Sequence, residues 1–330
     1  MIKFRNLAPE LRDRVNDRVG AYRGPVGRVF YIFNSATRAS QAALTIAPYT
    51  GDEDGRTYAP AIYVQGSTTG VQDAINNCAN GYGDVLLFEP GSHNSYAAIT
   101  LNKTHVSLLG PSSHNGPFSR QTLLRGFLSS ADRTSDNVYG PVLKITQGYY
   151  RLEGLNFWAS TNDSGAVRLS DENTHGGGMG VIQSCGFPAD YGVDNEYYGI
   201  NITGSHYIEI ADCFFGGQAA GGIAATAGVG NSEGVFIRNC LFQGCVYGLN
   251  IQASAVYGWI LDNCTFGTSS YPANQAMTSG ILVGAGVGAG EVTISRCQGT
   301  LSAADFVTGA GAAHLTVLGE SGGYTVLTTV

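Results

Sequence analysis

From residue 152 onward one order of apolar and polar positions keeps returning: an aliphatic residue, two variable positions, a cysteine, one variable position and an aromatic residue. It runs Ile182-Gln-Ser-Cys185-Gly-Phe187, Ile210-Ala-Asp-Cys213-Phe-Phe215, Ile237-Arg-Asn-Cys240-Leu-Phe242 and Leu261-Asp-Asn-Cys264-Thr-Phe266, and closes as Ile294-Ser-Arg-Cys297-Gln-Gly299. Leu152-Glu-Gly-Leu155-Asn-Phe157 is a sixth copy with leucine in the cysteine position. From Leu152 to Ile294 the aliphatic positions step by 30, 28, 27, 24 and 33 residues. Unequal steps in this range predict a solenoid that keeps a constant core while its loops vary. A second strand recurs between the copies, in Ala166-Val167-Arg168-Leu169, Gly199-Ile200-Asn201-Ile202, Gly222-Ile223-Ala224-Ala225, Gly248-Leu249-Asn250-Ile251, Gly280-Ile281-Leu282-Val283 and Asp305-Phe306-Val307-Thr308. Alternation after a small residue suits a strand entered from a tight turn. Stacked coils lie ~4.8 Å apart, so Cys185, Cys213, Cys240, Cys264 and Cys297 are expected in one ladder and Phe187, Phe215, Phe242 and Phe266 in another. About seven such coils make a shaft roughly 30 to 35 Å long.

Ahead of the repeats the chain reads Thr69-Gly70-Val71-Gln72-Asp73-Ala74-Ile75, then Gly83-Asp84-Val85-Leu86-Leu87-Phe88-Glu89-Pro90-Gly91-Ser92-His93, Ile99-Thr-Leu101-Asn-Lys103 and Val106-Ser-Leu108-Leu109-Gly110. These segments resemble the opening of pectin-lyase-like proteins, and the resemblance extends over residues 66–320. It implies an all-β fold, a right-handed single-stranded parallel β-helix, with a short N-terminal capping helix and a first rung built as strand, Pro-Gly turn and strand. Such a cap has a physical purpose, because an open terminal rung exposes apolar core and unpaired strand edges. The expected organisation is a basic N-terminal docking segment over 1–60, the β-helix over 61–320 and a tail over 321–330. Within the first segment Pro9 to Val19 fits one short helix stopped at Gly24-Pro25, and Arg28-Val-Phe-Tyr-Ile-Phe33 fits a strand.

Composition agrees with this reading: 47 glycines and 13% charged residues suit many tight turns and stacked uncharged ladders. Charge adds a polarity to it. Residues 1–38 hold eight of the eighteen Lys and Arg against Glu10, Asp13 and Asp17, a head of +5 on a remainder of −12. The acidic remainder is expected to repel nucleic acid and anionic membrane surfaces. Lys3, Arg5, Arg12, Arg14 and Arg18 are therefore the candidate docking residues. No window reaches the ~18 apolar residues of a membrane span, and Met1-Ile-Lys-Phe-Arg5 leads into charge rather than a signal-peptide core. Seven cysteines, odd in number and without close pairs, read as reduced packing thiols rather than a zinc site or a disulfide framework.

Candidate chemistry is sparse. Gly284-Ala-Gly-Val-Gly-Ala-Gly290 lacks the residues of a phosphate-binding loop and precedes a strand, so it reads as a turn. The six histidines never fall at metal-ligand spacing, and neither a metal nor a cofactor is expected. The signature motifs of pectate lyases, polygalacturonases and pectin methylesterases are missing, and Asp305 reads as a rung-edge residue. In the repeat frame Glu153, Gln183, Ala211, Arg238, Asp262 and Ser295 share one outward position, and Arg238 with Asp262 reads as an ion pair between coils. The loop acids Asp190, Asp194 and Glu196, with Tyr191, Tyr197 and Tyr198, form the best carbohydrate-facing cluster, the acids as weak catalytic candidates and the tyrosines as glycan contacts.

A β-helix of this kind behind a short basic head resembles bacteriophage virion proteins. The resemblance implies a non-enzymatic homotrimeric spike or decoration protein, assembled in the host cytoplasm and anchored to capsid or tail by its N-terminus, whose role is either to stabilise the particle or to touch host surface glycans. The competing expectation is a tailspike-type depolymerase acting on surface polysaccharide.

Overall fold

The structure, a computed structural model, describes residues 27–33, 49–50, 57–58, 61–64, 70–95, 98–110, 123–126, 141–159, 165–170, 178–188, 198–218, 220–225, 232–253, 256–267, 277–288, 291–301 and 306–318. Three parallel sheets face one another around a common core, and each coil visits them in the same order. Sheet 1 holds the repeat's aliphatic strand, in Tyr150–Glu153, Gly180–Gln183, Ser205–Ala211, Ser232–Arg238, Trp259–Asp262 and Val292–Ser295. Sheet 3 holds the short strand that carries the aromatic residue, such as Gly186–Pro188 and Phe214–Gly216, and sheet 2 holds the second recurring strand, such as Tyr198–Ile202 and Tyr247–Ile251. The pairing partners are the expected ones: Leu152, Ile182, Ile210, Ile237, Leu261 and Ile294 follow one another in register. The fold is thus an all-β right-handed parallel β-helix capped by the helix Gly70–Asn77.

The shaft is longer than seven coils. Among the described residues sheets 2 and 3 have eight strands each, and the main path of sheet 1 has eleven, which at ~4.8 Å per step spans about 48 Å. Two of the added strands lie ahead of the first full coil. Val29–Phe33 pairs with Val85–Phe88 on one side and Ala61–Val64 on the other, and Phe30 and Ile32 are buried in the main core. The expected strand is therefore present, but it is part of the shaft. Residues 1–26 and the tail 321–330 lie outside the described residues.

The helix Gly70–Asn77 closes this end. Val71, Ala74, Ile75 and Cys78 fall on one face and are buried, with Asp73 in the favourable first turn. Gln72 does a second job: its Oε1 accepts from Thr100 N at 2.7 Å and its Nε2 donates to Thr100 O at 3.1 Å. A side-chain amide thereby stands in for a neighbouring strand at the edge of sheet 2, where Ile99–Leu101 is the terminal strand. Buried Asp84 ties helix and first strand together, accepting from Ala79 N at 2.7 Å, Arg28 N at 2.7 Å and the Arg28 guanidinium at 3.0 Å.

Inside the shaft like side chains stack. Phe157, Phe187, Phe215, Phe242 and Phe266 follow one another at ring-centroid distances of 5.6, 4.8, 4.9 and 4.9 Å, nearly parallel. Where the repeat has Gly299, Phe306 ends the column edge-on to Phe266. The cysteine column stands at the corner between sheets 1 and 3, all thiols free and buried. Each Sγ donates to the carbonyl two residues back, as Cys213 does to Ala211 O at 3.2 Å and Cys240 to Arg238 O at 3.3 Å. Burial, with thiol contacts to Cys185 and Cys240, pushes the Cys213 thiol far up, and with all five side chains buried against the core the column is a packing element.

Candidate functional site

Of the carbohydrate-facing cluster, Asp190, Tyr191, Asp194, Glu196 and Tyr197 lie outside the described residues. Tyr198 opens the strand Tyr198–Ile202 and is 7% exposed, packed with Ala220 and Ala224 in a small cluster on the outer face of sheet 2. Its ring is a packing element there rather than an open platform. Lys3, Arg5, Arg12, Arg14 and Arg18 are likewise outside the described residues. Cys185, Cys213, Cys240, Cys264 and Cys297 and Phe187, Phe215, Phe242 and Phe266 stand in their ladders.

The outer face of sheet 1 carries ion pairs, but not the expected one. Arg238 turns back one coil to Glu209, Nε to Oε1 at 2.6 Å, and Asp262 reaches forward to Arg296 Nε at 2.9 Å. Both charges thus find partners diagonally, and the Arg238–Asp262 pairing gives way to two pairs. The hydrogen bond donated by Arg296 holds the Asp262 carboxyl below its usual range, and the one Arg238 donates to Glu209 raises Arg238. Glu153 and Ala211, expected to face outward, are buried.

The outer face of sheet 2 places Thr100, Lys144, Arg168, Asn201, Ala224, Asn250, Leu282 and Thr308 in one register. Lys144 and Arg168 are neighbours on consecutive coils, and the Arg168 Nε is buried with no hydrogen-bond partner among the described residues. Two adjacent cations on an otherwise acidic shaft suit an anionic group. The sequence places Arg168 within the second recurring strand, yet reading that strand only for its apolar positions passes over it, and Lys144 stands one coil ahead of the copies read there.

A second surface lies on the corner by which each coil enters sheet 1. There His105, Tyr149, Met179, Tyr207, Gly234 and Gly258 occupy one position on six coils, all with left-handed φ between 54° and 64°. His105 and Tyr149 stack at 4.5 Å with an interplanar angle of 6°. Tyr149, Met179, Tyr207 and nearby Tyr257 are exposed. The signal in the sequence is positional: each of the six stands three residues ahead of an aliphatic residue that enters sheet 1, from Leu108 to Leu261. Among the described residues no group of three His, Cys, Asp or Glu is placed to hold a metal ion, and no helix is long and apolar enough to cross a membrane.

No sequence-family profile matches the chain, and no curated protein matches it. Solved structures do. The chain is similar to pectate lyase Pel9A, with a TM-score of 0.58 and 14% identity over 89% of this chain and 69% of that one. It is also similar to the ORF18 protein of Geobacillus virus E2, with a TM-score of 0.41 and 13% identity over 76% of this chain and 56% of that one. A third is tailspike protein 2 of Escherichia coli O157:H7 bacteriophage CAB120, with a TM-score of 0.29 and 11% identity over 76% and 38%. At 14% identity what the chain shares with Pel9A is architecture: the chain has the pectin-lyase-like right-handed parallel β-helix fold.

Proposed function

We propose that the protein is a bacteriophage virion spike or decoration protein that docks through its basic N-terminus and holds an acidic β-helix out from the particle, where the shaft touches host surface glycans. The observation that carries this is where the chain enters. Val29–Phe33 lies next to the first full coil, so the segment 1–26 joins the shaft at one end. That segment holds Lys3, Arg5, Arg12, Arg14, Arg18 and Arg23 against three acids, whereas the chain beyond residue 38 is at −12. A basic anchor at one end of an acidic rod suits attachment to an acidic particle surface with the rod repelled outward. Homotrimeric assembly belongs to the same proposal.

The test is particle association. A variant lacking residues 1–26 is expected to fold with unchanged circular dichroism yet fail to co-sediment with assembled particles, while the full chain co-sediments. Co-sedimentation of the truncated protein at the full-chain level sinks the docking assignment. Sedimentation equilibrium is expected to give three times the chain mass. Incubation with purified bacterial lipopolysaccharide and capsular polysaccharide is expected to release no reducing ends. Release that Asp194→Asn or Glu196→Gln abolishes replaces this reading with a depolymerase carried by the Asp190, Asp194 and Glu196 loop.

A further inference from the structure

The corner with the left-handed column is built against local preference. Bulky side chains avoid this region because Cβ crowds the neighbouring carbonyl, and glycine is the relaxed choice. The chain has glycine at Gly234 and Gly258, but His105, Tyr149, Met179 and Tyr207 hold the four coils before them. Tyr149, Met179 and Tyr207 are 41%, 46% and 57% exposed, so burial does not offset the strain. Tyr207 is also fixed in direction. Its ring lies against Gly234, where an added Cβ would stand 2.8 Å from Cδ1. Its hydroxyl donates to Glu233 Oε1 at 3.5 Å, and Glu233 Oε2 lies 3.6 Å from His206 Nδ1. Tyr257, 41% exposed, pairs in register with Glu233 from the next strand.

We infer that this corner is a glycan-binding line, on which Tyr149, Met179, Tyr207 and Tyr257 offer apolar faces to the C–H faces of sugar rings while Glu233 and His206 take their hydroxyls. The inference rests on the proposed glycan-touching spike and names the surface that makes the contact. Two features favour a linear polysaccharide over a second copy of this chain. Tyr149, Met179 and Tyr207 recur on consecutive coils at steps of ~4.8 Å, and Tyr257 stands two coils beyond Tyr207, one residue ahead of the Gly258 position, so the apolar side chains extend along the shaft as suits an extended ligand. A carboxylate stands between Tyr207 and Tyr257, whereas the core of a protein interface gathers apolar area and sheds charge. Carbohydrate presents what this edge matches, apolar faces rimmed by hydroxyls.

Tyr149→Gly and Tyr207→Gly test it well, because glycine adopts φ of 58° and 54° without strain. Tyr207→Asn, which also tolerates left-handed backbone, is the second route. Full-length protein and variants are passed over immobilised bacterial lipopolysaccharide and capsular polysaccharide. Wild type is expected to bind, and the double glycine variant to bind at least about 10-fold more weakly, a loss of ~1.4 kcal/mol, with an unfolding midpoint equal to or above that of wild type. Tyrosine nitration is expected to slow at these rings when glycan is present. A double variant that binds like wild type overturns the assignment and leaves the spike reading standing. Failure of wild type to bind any of these glycans overturns both. A variant that changes oligomeric state but not glycan binding shows the corner to be a contact between copies, which also overturns it.

Discussion

Phe266 and Gly248 show how a single position is set by its neighbour one coil away. The glycines at the start of the sheet 2 strands suggest tight turns, yet Gly199, Gly222, Gly248 and Gly280 do not have positive φ. They provide room. A Cβ on Gly222 would stand 2.7 Å from Phe242 Cδ1, and one on Gly248 closer still to the Phe266 ring and 2.7 Å from Gly280 O. The phenylalanine column thus has a glycine column facing it, and the pair is one packing unit. Gly248→Ala should destabilise by about 1–3 kcal/mol through overpacking, read as a lower denaturant midpoint. Combined with Phe266→Leu, the loss should be less than additive, and an unchanged midpoint for Gly248→Ala alone refutes the account. His93 makes a different residue-scale argument. It is fully buried, its Nε2 lies 3.0 Å from Glu89 O, and burial holds its pKa below the usual value. Between that lowered value and ~6.5 the unfolded chain takes a proton that the folded one refuses, so stability falls as pH drops below about 6.5 and levels off beneath the folded pKa. Urea unfolding at several pH values should show this slope in wild type and lose it in His93→Leu. An identical slope in both disproves the assignment to His93.

At the scale of elements, what was legible in the sequence depended on whether equivalent residues share a side-chain chemistry. Aliphatic, cysteine and phenylalanine columns do, and the repeat places them on the coils where they stand. The corner just before each cysteine is half legible. Gly154, Ser184, Asp212, Asn239, Asn263 and Arg296 all have left-handed φ there, and small polar residues that tolerate this conformation mark a sharp turn. Three of them also form a ladder: Asn263 Nδ2 donates to Asn239 Oδ1 at 2.9 Å, and Asn239 Nδ2 to Asp212 Oδ1 at 3.1 Å. The opposite corner is nearly illegible, because His105, Tyr149, Met179, Tyr207 and two glycines share a backbone angle and a position three residues ahead of an aliphatic one, but no side-chain chemistry. Register alone predicts the Arg238–Asp262 pair, but long side chains reach diagonally and choose Glu209 and Arg296. The capping helix is readable from its apolar face, whereas Gln72 closing the strand edge is not, since that requires knowing which edge lies open.

For the whole molecule, the question is where the shaft begins. Charge counting places the boundary at residue 60, because the basic residues cluster in the first 38, but burial places it earlier. Phe30 and Ile32 are in the main core, and Arg28 delivers both a backbone N–H and its guanidinium to buried Asp84. Removing residues 1–60 would strip a strand from Val85–Phe88, uncover apolar core at the base and leave Asp84 with the Ala79 N–H. An open edge above an exposed core invites pairing with other chains, and a buried carboxylate that loses its cation is strongly destabilising. The two truncations should therefore separate. The variant lacking 1–26 should elute as wild type does and unfold cooperatively, whereas the one lacking 1–60 should aggregate or unfold at markedly lower denaturant, read by size-exclusion chromatography and near-ultraviolet circular dichroism. If the shorter chain instead stays monodisperse with wild-type stability, Val29–Phe33 is dispensable to the shaft and the docking segment extends through residue 60. If it collapses, Val29–Phe33 belongs to the shaft, and the docking charges that can be removed without disturbing it are those of the first 26 residues.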